Sequence, residues 1–416
     1  QISSSQSNFN ISLESDVLIG QEVVVSASRK REKIQEAPAA VSVLPLEKIA
    51  NDAVVNPMLS IRNLTAVNVS QYGVGGGQIN LRGRSAVFQT ESFIMADYRN
   101  IVLPGLGALQ YEQQPIDAID LERVEVIRGP GSALYGPGVE AGIVHFISKD
   151  PFRYPGTAVS VYGGNQSSFG ASLRHAGHTK DEKLGYKITG YFRSAQDFEI
   201  ESDSTVDPVQ AARLASFPDQ IVSAVNPENV ITTEIPNYDM RSYGFTATLE
   251  YRLSDKTSIT GLGGVGVGEA IFRTSQGEGY TTASRPFAQV RVQSGGFFGQ
   301  AFWSYQNGAD GNSFLYATGL TTINEAHQFE TQLQYTVQAF KNKLDITVGA
   351  DYRLNTIETE GSIHGRFEDD DDYAIFGAYA QVDVKATNKL NIIAAGRVDR
   401  FSALDEVAFS PRVGLV

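Results

Sequence analysis

Two glycine-rich loops in this chain could bind a ligand or cofactor through their backbone N–H groups. The first covers residues 72–77, Tyr-Gly-Val-Gly-Gly-Gly, and the second lies within residues 124–149, VEVIRGPGSALYGPGVEAGIVHFISK. Glycine permits positive φ and close backbone approach, which are the properties that phosphate-binding loops use. Neither loop completes such a motif, because the first precedes no long helix and the second lacks the Gly-Lys-Ser/Thr ending. The glycines therefore predict tight turns, and no nucleotide cofactor is expected.

Acidic and histidine residues offer no better catalytic or metal site. The acidic run at residues 368–372 lacks the glycine-bearing spacing of a calcium loop, so a solvated external loop is the favoured interpretation. His175 and His178 are three residues apart, which places them on opposite faces of a strand. Cysteine is absent, and no Ser/His/Asp arrangement can be argued from residue order. We predict no catalytic residue, no metal and no cofactor, and a protein that is not an enzyme.

The composition narrows the class of protein. A chain of 416 residues is expected to contain two or more domains, and its net charge of −13 argues against a nucleic-acid-binding surface. No run of about 18 apolar residues is present, so a membrane helix is not predicted. A transmembrane barrel escapes this criterion, because lipid-facing apolar and lumen-facing polar residues alternate along its strands.

The elements around the glycine loops indicate a small α/β domain. Strands are predicted at 39–44, 67–69, 78–83 and on both sides of the second loop, and short helices at 45–49 and 56–64. The strand–loop–strand unit of residues 124–149 closely resembles the signature that ends the plug domain of TonB-dependent outer-membrane receptors. The resemblance implies that residues 34–150 form the plug and that residues 1–33 form a mobile arm. Two departures affect fine turn geometry: residues 96–99 (Ala-Asp-Tyr-Arg) replace the usual Asp-Gly turn, and His145 replaces an Asn.

The arm carries a short β-prone run. An extended segment of this kind can add as a strand to the sheet edge of a partner, although taken alone it is more often an ordinary strand. Its position before a plug signature resembles the TonB box of the receptor family. The resemblance implies that TonB, a periplasmic protein energised by an inner-membrane complex, binds Glu22, Val23, Val24, Val25, Ser26, Ala27 and Ser28.

Two Arg-Gly pairs stand at strand ends of the predicted plug. In the receptor family such arginines join a charged network between the plug and the inner barrel wall, so the resemblance implies an anchoring role for Arg82, Gly83, Arg128 and Gly129. An arginine enclosed in a barrel needs an acidic partner, and its planar fork suits carboxylates. The alternative is a pair of solvent-facing arginines that end two edge strands.

Residues 151–416 show the alternation of a transmembrane barrel. Every odd position between 243 and 253 is apolar, while Thr246, Thr248, Glu250 and Arg252 fill the other face. A soluble sandwich also alternates, but successive long strands with aromatic ends favour the membrane barrel. About twelve strands are predicted, near 157–165, 168–178, 184–193, 240–252, 257–268, 285–293, 296–306, 327–339, 343–357, 374–385, 389–401 and from 406.

The connections between these strands alternate in length. Short ones, such as 254–256 and 341–342, suit periplasmic turns, and long ones near 194–239, 307–326 and 358–373 suit extracellular loops. The receptor family closes its barrel with 22 strands. We therefore expect a membrane β-barrel, antiparallel and transmembrane, with an internal α/β plug, and we expect residues 151–416 to supply about half of its wall.

The resemblance implies active transport of a scarce ligand, most often an iron chelate (siderophore), across the outer membrane of a Gram-negative-type bacterium. Outer-membrane lipid and an external ligand such as a metal chelate are the other expected partners, and an outer-membrane lipoprotein or another protein is a further option. Import of a glycan or peptide, a passive porin, and a structural or secretion-associated subunit remain open. Aromatic and amide groups on plug loops suit a bulky polar ligand, and the candidates are Gln71, Tyr72, Phe88, Tyr98, Arg99 and Tyr111.

Overall fold

The computed structural model describes residues 23–24, 32–33, 39–52, 54–82, 92–198, 237–274, 277–308, 313–315, 322–340, 343–387, 390–404 and 406–416. Two sheets account for most of them, a small mixed sheet within residues 40–148 and a large antiparallel sheet within residues 156–415. No helix in these ranges is long and apolar enough to cross a bilayer.

The described residues before position 149 form nine strands and two short α-helices. The strands are β1 (Val23–Val24), β2 (Glu32–Lys33), β3 (Ala40–Pro45), β4 (Val67–Gln71), β5 (Gly77–Leu81), β6 (Ser92–Ala96), β7 (Arg99–Asn100), β8 (Leu121–Arg128) and β9 (Gly142–Ser148). The helices are α1 (Leu46–Ala50) and α2 (Ser132–Tyr135), and 3-10 helices cover Pro57–Asn63 and Tyr111–Gln113. The small sheet has the order β3-β8-β9-β6-β7, in which only β6 and β9 run parallel, while β4-β5 and β1-β2 are separate antiparallel pairs.

Local sequence explains these elements. Pro45 precedes α1, and Asn56 begins the 3-10 helix Pro57–Asn63 by accepting a hydrogen bond from the Met58 N–H at 3.1 Å. The predicted helix at 56–64 is therefore confirmed as a helix of the tighter 3-10 type. Apolar side chains of this helix share one buried core with strands β5, β8 and β9, which includes Met58, Leu59, Ile61, Ile79, Val124, Val126 and Phe146.

The glycines of the second loop act as turn residues, as predicted. Gly129 and Gly136 have φ of +112° and +83°, a region that side chains with a Cβ rarely adopt. Gly142 has φ of +153°, and a Cβ there would overlap the carbonyl oxygen of Ile127 on the paired strand β8. These glycines return the chain from β8 through α2 to β9.

The large sheet forms the barrel wall. Its strands are β10 (Gly156–Gly163), β11 (Phe169–His178), β12 (Leu184–Gln196), β13 (Asp239–Ser254), β14 (Thr257–Thr274), β15 (Gly277–Ser294), β16 (Phe297–Gln306), β17 (Phe314–Leu315), β18 (Glu325–Ala339), β19 (Leu344–Glu358), β20 (Tyr373–Thr387), β21 (Leu390–Phe401) and β22 (Val407–Leu415). Each pairs antiparallel with the next, except that β17 is a short branch on β15. Within the described strands, β10 and β22 end the sheet.

The wall turns its apolar side chains outward. On β13, Phe245, Leu249 and Tyr251 are exposed, with Leu249 at 58%, whereas Ser242 and Thr248 on the opposite face are buried. This reverses the arrangement of a soluble sandwich, whose apolar face is covered. The inner face is polar and carries the small sheet. The fold is a membrane β-barrel with an internal plug, as the alternation and the resemblance predicted.

Candidate functional site

The contact between the plug and the inner face of the wall is the candidate functional site. Plug residues 112–120 form its centre. Tyr191 Oη donates to the Gln114 carbonyl at 2.8 Å, and Ser242 Oγ donates to the Glu112 carbonyl at 2.6 Å. Arg193 Nη2 donates both to the Ile116 carbonyl at 2.6 Å and to Asp117 Oδ2 at 2.7 Å. Strands β12 and β13 thus donate hydrogen bonds to buried backbone carbonyls of a plug segment that lacks its own sheet partner.

A second carboxylate of this segment binds two wall cations. Asp120 Oδ1 accepts from Arg174 Nε at 2.7 Å, and its Oδ2 lies 2.9 Å from Lys187 Nζ. Lys187 also donates to Ser148 Oγ at 2.9 Å and to the Lys149 carbonyl at 2.8 Å, at the end of β9. Because these charged groups are removed from water, loss of one partner would leave an uncompensated buried charge and destabilise the contact.

Glycines of β14 let the plug backbone approach the wall. A Cβ at Gly266 would overlap the Gln113 carbonyl oxygen, and a Cβ at Gly268 would overlap the Glu112 carbonyl carbon. Both overlaps involve backbone atoms, which cannot rotate away as a side chain can. The 3-10 helix Tyr111–Gln113 is therefore seated in a notch formed by the missing side chains of β14.

The first glycine loop is held between two buried carboxylates at the long-loop end of the wall. The Val74 N–H donates to Asp197 Oδ1, just after β12, and Glu112 Oε1 lies beside Gly76. Burial raises the pKa of Glu112 to about 7, and the negative charge of Asp197 adds to the shift. Burial also raises the pKa of Asp197 to about 6, although the Val74 hydrogen bond partly opposes it. We call residues 72–77 with these two carboxylates the apical clasp.

The hairpin of β6 and β7 makes a separate contact with β15 and β16. Gln289 and Gln300 donate through Nε2 to the Asp97 and Tyr98 carbonyls, at 2.9 and 3.0 Å. The guanidinium carbon of Arg99 lies 3.4 Å from the ring centroid of Phe287. Further along the plug, Arg285 donates to the carbonyls of residues 101 and 102.

A third contact holds helix α2. Arg353 Nη2 donates to the Tyr135 carbonyl at its C-terminal end, and Gly136 follows closely packed against Arg397. Arg397 is fixed by bidentate bonds to Asp351, at 2.7 and 2.8 Å, and by Asp399 at 2.8 Å. The wall therefore presents two arginines, held by the carboxylates of Glu330, Asp351 and Asp399, to the loop that carries the sequence signature.

The structure describes three of the four predicted anchoring residues. Arg82 is exposed and Arg128 is half-buried, and Arg128 donates to the carbonyls of Ala40 and Thr65 within the plug, at 3.4 and 3.2 Å. Gly129 is the turn described above, and Gly83 lies outside the described residues. The wall anchoring by these residues stays a prediction, whereas the plug–wall ion pairs that are present join wall cations to plug carboxylates.

The predicted ligand residues divide between two places. Gln71 is exposed and Tyr72 half-buried at the apical clasp, where Gln71 Nε2 donates to the Gly73 carbonyl at 2.9 Å. Arg99 and Tyr111 are buried, the first under Phe287 and the second in the plug core, and Tyr98 packs 5.4 Å from the Phe298 ring near the short-turn end. Phe88 lies outside the described residues. Ligand contact by all six stays a prediction.

Of the residues predicted to bind TonB, the structure describes Val23 and Val24. They pair with Lys33 and Glu32 as β1 and β2, so this part of the run has a strand partner within the arm. Glu22 and residues 25–28 lie outside the described residues.

Sequence reasoning missed the wall residues that hold the plug. Arg174, Lys187 and Arg193 occupy inward positions of alternating strands, a signal that could have marked them as lumen-facing cations. Their partners Asp117 and Asp120 lie in a plug segment without periodicity, so the pairs could not be assigned from the sequence.

Comparison with known proteins identifies the architecture. The family model described as TonB-dependent Receptor Plug Domain matches residues 33–143, and TonB dependent receptor-like, beta-barrel, matches residues 274–416. The vitamin B12 transporter BtuB of Vibrio vulnificus is 26% identical over 183 residues, which are 44% of this chain and 29% of that protein. The ferrioxamine B receptor of Salmonella typhimurium is 28% identical over 188 residues, 44% of this chain and 25% of that protein.

A solved structure shares the fold. The siderophore receptor PirA from Pseudomonas aeruginosa superposes with a TM-score of 0.61 at 15% identity, over 90% of this chain and 58% of that one. The chain thus spans little more than half of that structure and between a quarter and a third of the two relatives' lengths. Because the two family models match the plug and the wall in the order in which both sheets occur, the chain belongs to the TonB-dependent receptors.

Proposed function

We propose that this chain supplies the plug and part of the barrel of a transporter that imports a scarce ferric chelate across the bacterial outer membrane. The names of its relatives, which include receptors for ferrioxamine B and ferrichrome, support this class of ligand. In this proposal the ligand binds above the apical clasp, TonB pairs with residues 22–28, and the force transmitted by TonB rearranges the plug.

The observation that carries the proposal is the polar character of the plug–wall contact. Asp117, Asp120 and the carbonyls of residues 112–116 meet wall arginines, a lysine and hydroxyl groups. Interfaces of this kind between domains permit relative motion, unlike a large apolar interface, because water can take over the hydrogen bonds. A plug held in this way can move without unfolding the wall.

The apical clasp is the part of the plug where a bound ligand could be sensed. Gln71 and Tyr72 border a loop that a hydrogen bond from the Val74 N–H to Asp197 joins to the wall. A ligand that contacts these two side chains would act on the loop directly. Tyr98, Arg99 and Tyr111 would reach a ligand only after the plug has moved, because neighbouring side chains cover them.

Growth of a deletion strain on single iron sources tests the proposal. The strain, complemented with the full receptor gene, should grow on at least one ferric chelate when iron is limiting, and the uncomplemented strain should not. Growth restored instead by vitamin B12, a glycan or a peptide would replace the ferric chelate with that ligand. Uptake that persists without residues 1–33 would indicate a passive porin, and co-purification of a protein partner without ligand-dependent growth would indicate a structural subunit.

A further inference from the structure

The turn between β6 and β7 has an unusual backbone. Asp97 and Tyr98 have φ of +45° and +71°, in the left-handed region that favours glycine. Aspartate is tolerated there because its short side chain can bond nearby backbone, and Asp97 Oδ1 accepts from the Ser148 N–H at 3.0 Å. A bulky aromatic residue in this region is strained, so the surrounding contacts must hold Tyr98 in place.

The plug holds Tyr98 from one side through His145 on β9. The Tyr98 N–H donates to His145 Nε2 at 3.1 Å, and the two rings meet edge to face with their centroids 4.8 Å apart. Because His145 is fully buried, it fixes both the backbone and the ring of Tyr98 against the plug interior. The two departures from the plug signature, residues 96–99 and His145, are therefore in contact.

The wall holds the same turn from the other side through β15 and β16. The Phe298 ring lies 5.4 Å from the Tyr98 ring, and the guanidinium carbon of Arg291 lies 5.0 Å from the centroid of that ring. Gln289 and Gln300 bind the two carbonyls of the turn. The Tyr98 ring thus packs against the plug and the wall at once and fills the space between them.

This contact lies at the short-turn end of the wall. Phe298 is the second residue of β16, directly after a short turn, and Arg291 is three residues before the end of β15. Tyr98, Arg291 and Phe298 are each half-buried, whereas His145 behind them is fully buried. The Tyr98 ring therefore stands at the boundary between solvent and the buried interior of the plug.

We propose that Tyr98 is a positioning residue for transport, and that its ring is a latch that closes the gap between the plug and β15–β16 at the short-turn end. The turn is held by uncharged amides and ring contacts, whereas buried ion pairs hold residues 112–120. A neutral hydrogen bond is weaker than a buried ion pair is costly to break, so the turn leaves the wall more readily. Its release also relieves the backbone strain at Tyr98.

The passage of a ligand through this gap rests on the proposed transport function, but closure of the gap can be measured without any ligand. The measurement is the ion conductance of the purified full receptor in planar bilayers. Tyr98→Ala and Tyr98→Gly both remove the ring, and Tyr98→Phe keeps it. We expect a severalfold higher conductance than wild type, equal in the Ala and Gly variants, and wild-type conductance in Tyr98→Phe. Tyr243→Ala, which removes a lipid-facing ring from β13, is the matched control and should stay closed.

The unfolding temperature of the same variants separates a latch from a merely structural role. Glycine adopts a φ of +71° without strain and alanine does not, so Tyr98→Gly should unfold at a higher temperature than Tyr98→Ala. A structural role would make conductance follow stability, with Tyr98→Ala more conductive than Tyr98→Gly. Tyr98→Gly also covers the case in which Tyr98→Ala does not fold.

Three results would overturn the latch: wild-type conductance without the ring, a higher conductance in Tyr98→Ala than in Tyr98→Gly, or a leak in Tyr98→Phe as large as in Tyr98→Ala. Failure of whole cells to take up any ferric chelate would instead count against the proposed function, and it would leave these conductances unchanged.

Discussion

Arg193 of the wall and Asp117 of the plug form a buried ion pair, with 2.7 Å between Nη2 and Oδ2. The arginine also holds the Ile116 carbonyl at 2.6 Å, and Ser172 donates to the same carboxylate oxygen at 2.9 Å. One wall side chain thus fixes both the charge and the backbone of the plug segment that carries it.

Removal of the Asp117 charge should loosen the plug. Asp117→Asn leaves Arg193 buried without a carboxylate, which typically costs about 3–5 kcal/mol. We expect a lower unfolding temperature of the plug and a larger ion conductance of the receptor in planar bilayers. Asp52→Asn removes an exposed pair with Arg62, for which about 0–1 kcal/mol is expected, and serves as the control. Equal conductance in the two variants would contradict the anchoring role of Asp117.

The β14 notch predicts a steric effect that depends on position. Gly266→Val forces a side chain into the Gln113 carbonyl and should displace the 3-10 helix Tyr111–Gln113 from the wall. Gly261→Val is the control on the same strand, because a Cβ there meets no atom within 4 Å. We expect protease cleavage within residues 72–120 of the folded receptor for Gly266→Val only. Equal protection from the protease in both variants would show that the glycines of β14 are not needed to seat the Tyr111–Gln113 helix.

The apical clasp predicts a pH dependence. A carboxyl whose pKa is raised in the folded state binds its proton more tightly there than in the unfolded chain. The contribution of Glu112 is therefore greatest below its usual value of 4.5 and is lost as the pH rises through about 7. The plug should unfold at a lower temperature at pH 8 than at pH 5, by an amount equivalent to about 3 kcal/mol.

Glu112→Gln keeps the shape of the side chain and removes its titration. This variant should show a smaller difference in unfolding temperature between pH 5 and pH 8 than the wild type. Glu47→Gln, at an ordinary position in the first turn of α1, provides the control and should retain the wild-type difference. An unchanged pH profile in Glu112→Gln would show that the titrating group lies elsewhere.

The outward face of the wall predicts a penalty in lipid. Leu249 is exposed near the middle of the predicted span of β13, so Leu249→Arg should cost about 2–4 kcal/mol in a bilayer. Thr248 is buried on the other face, and Thr248→Ser should have little effect. Folding into lipid vesicles, followed by urea titration, measures both. A Leu249→Arg variant as stable as the wild type would show that this face does not contact lipid.

The wall could be predicted from the sequence because apolar and polar residues alternate along each of its strands, with one kind on each face. All twelve predicted strands are present, and the start of β15 is the largest error in position, 277 instead of 285. Residues 277–284 have few large apolar side chains, so the pattern disappears although the backbone pairing with β14 continues. The two-residue strand β17 is too short to give any period.

The plug–wall pairs could not be predicted, because they depend on how two sheets face one another. Arg82 and Arg128 carry the recognisable sequence signal, yet Arg128 binds carbonyls of its own domain. Tyr98 and Arg99 look suitable for a ligand, but a sequence does not reveal which end of the domain their turn faces. The turn meets β15 and β16, where Gln289 and Gln300 bind its carbonyls.

Uptake of radio-iron by whole cells measures whether the receptor transports its ligand with energy supplied through TonB. Cells that carry the full receptor are given ferric ferrioxamine B, ferrichrome or enterobactin, with and without TonB. Val24→Pro, which disrupts strand pairing in the TonB-box-like run, is compared with Val24→Ile, which keeps a β-branched side chain and the backbone N–H at the same position. We predict uptake of at least one chelate, which is lost without TonB and in Val24→Pro and is retained in Val24→Ile. Uptake that is equal with and without TonB would contradict energised transport, and uptake unaffected by Val24→Pro would contradict TonB binding at this run.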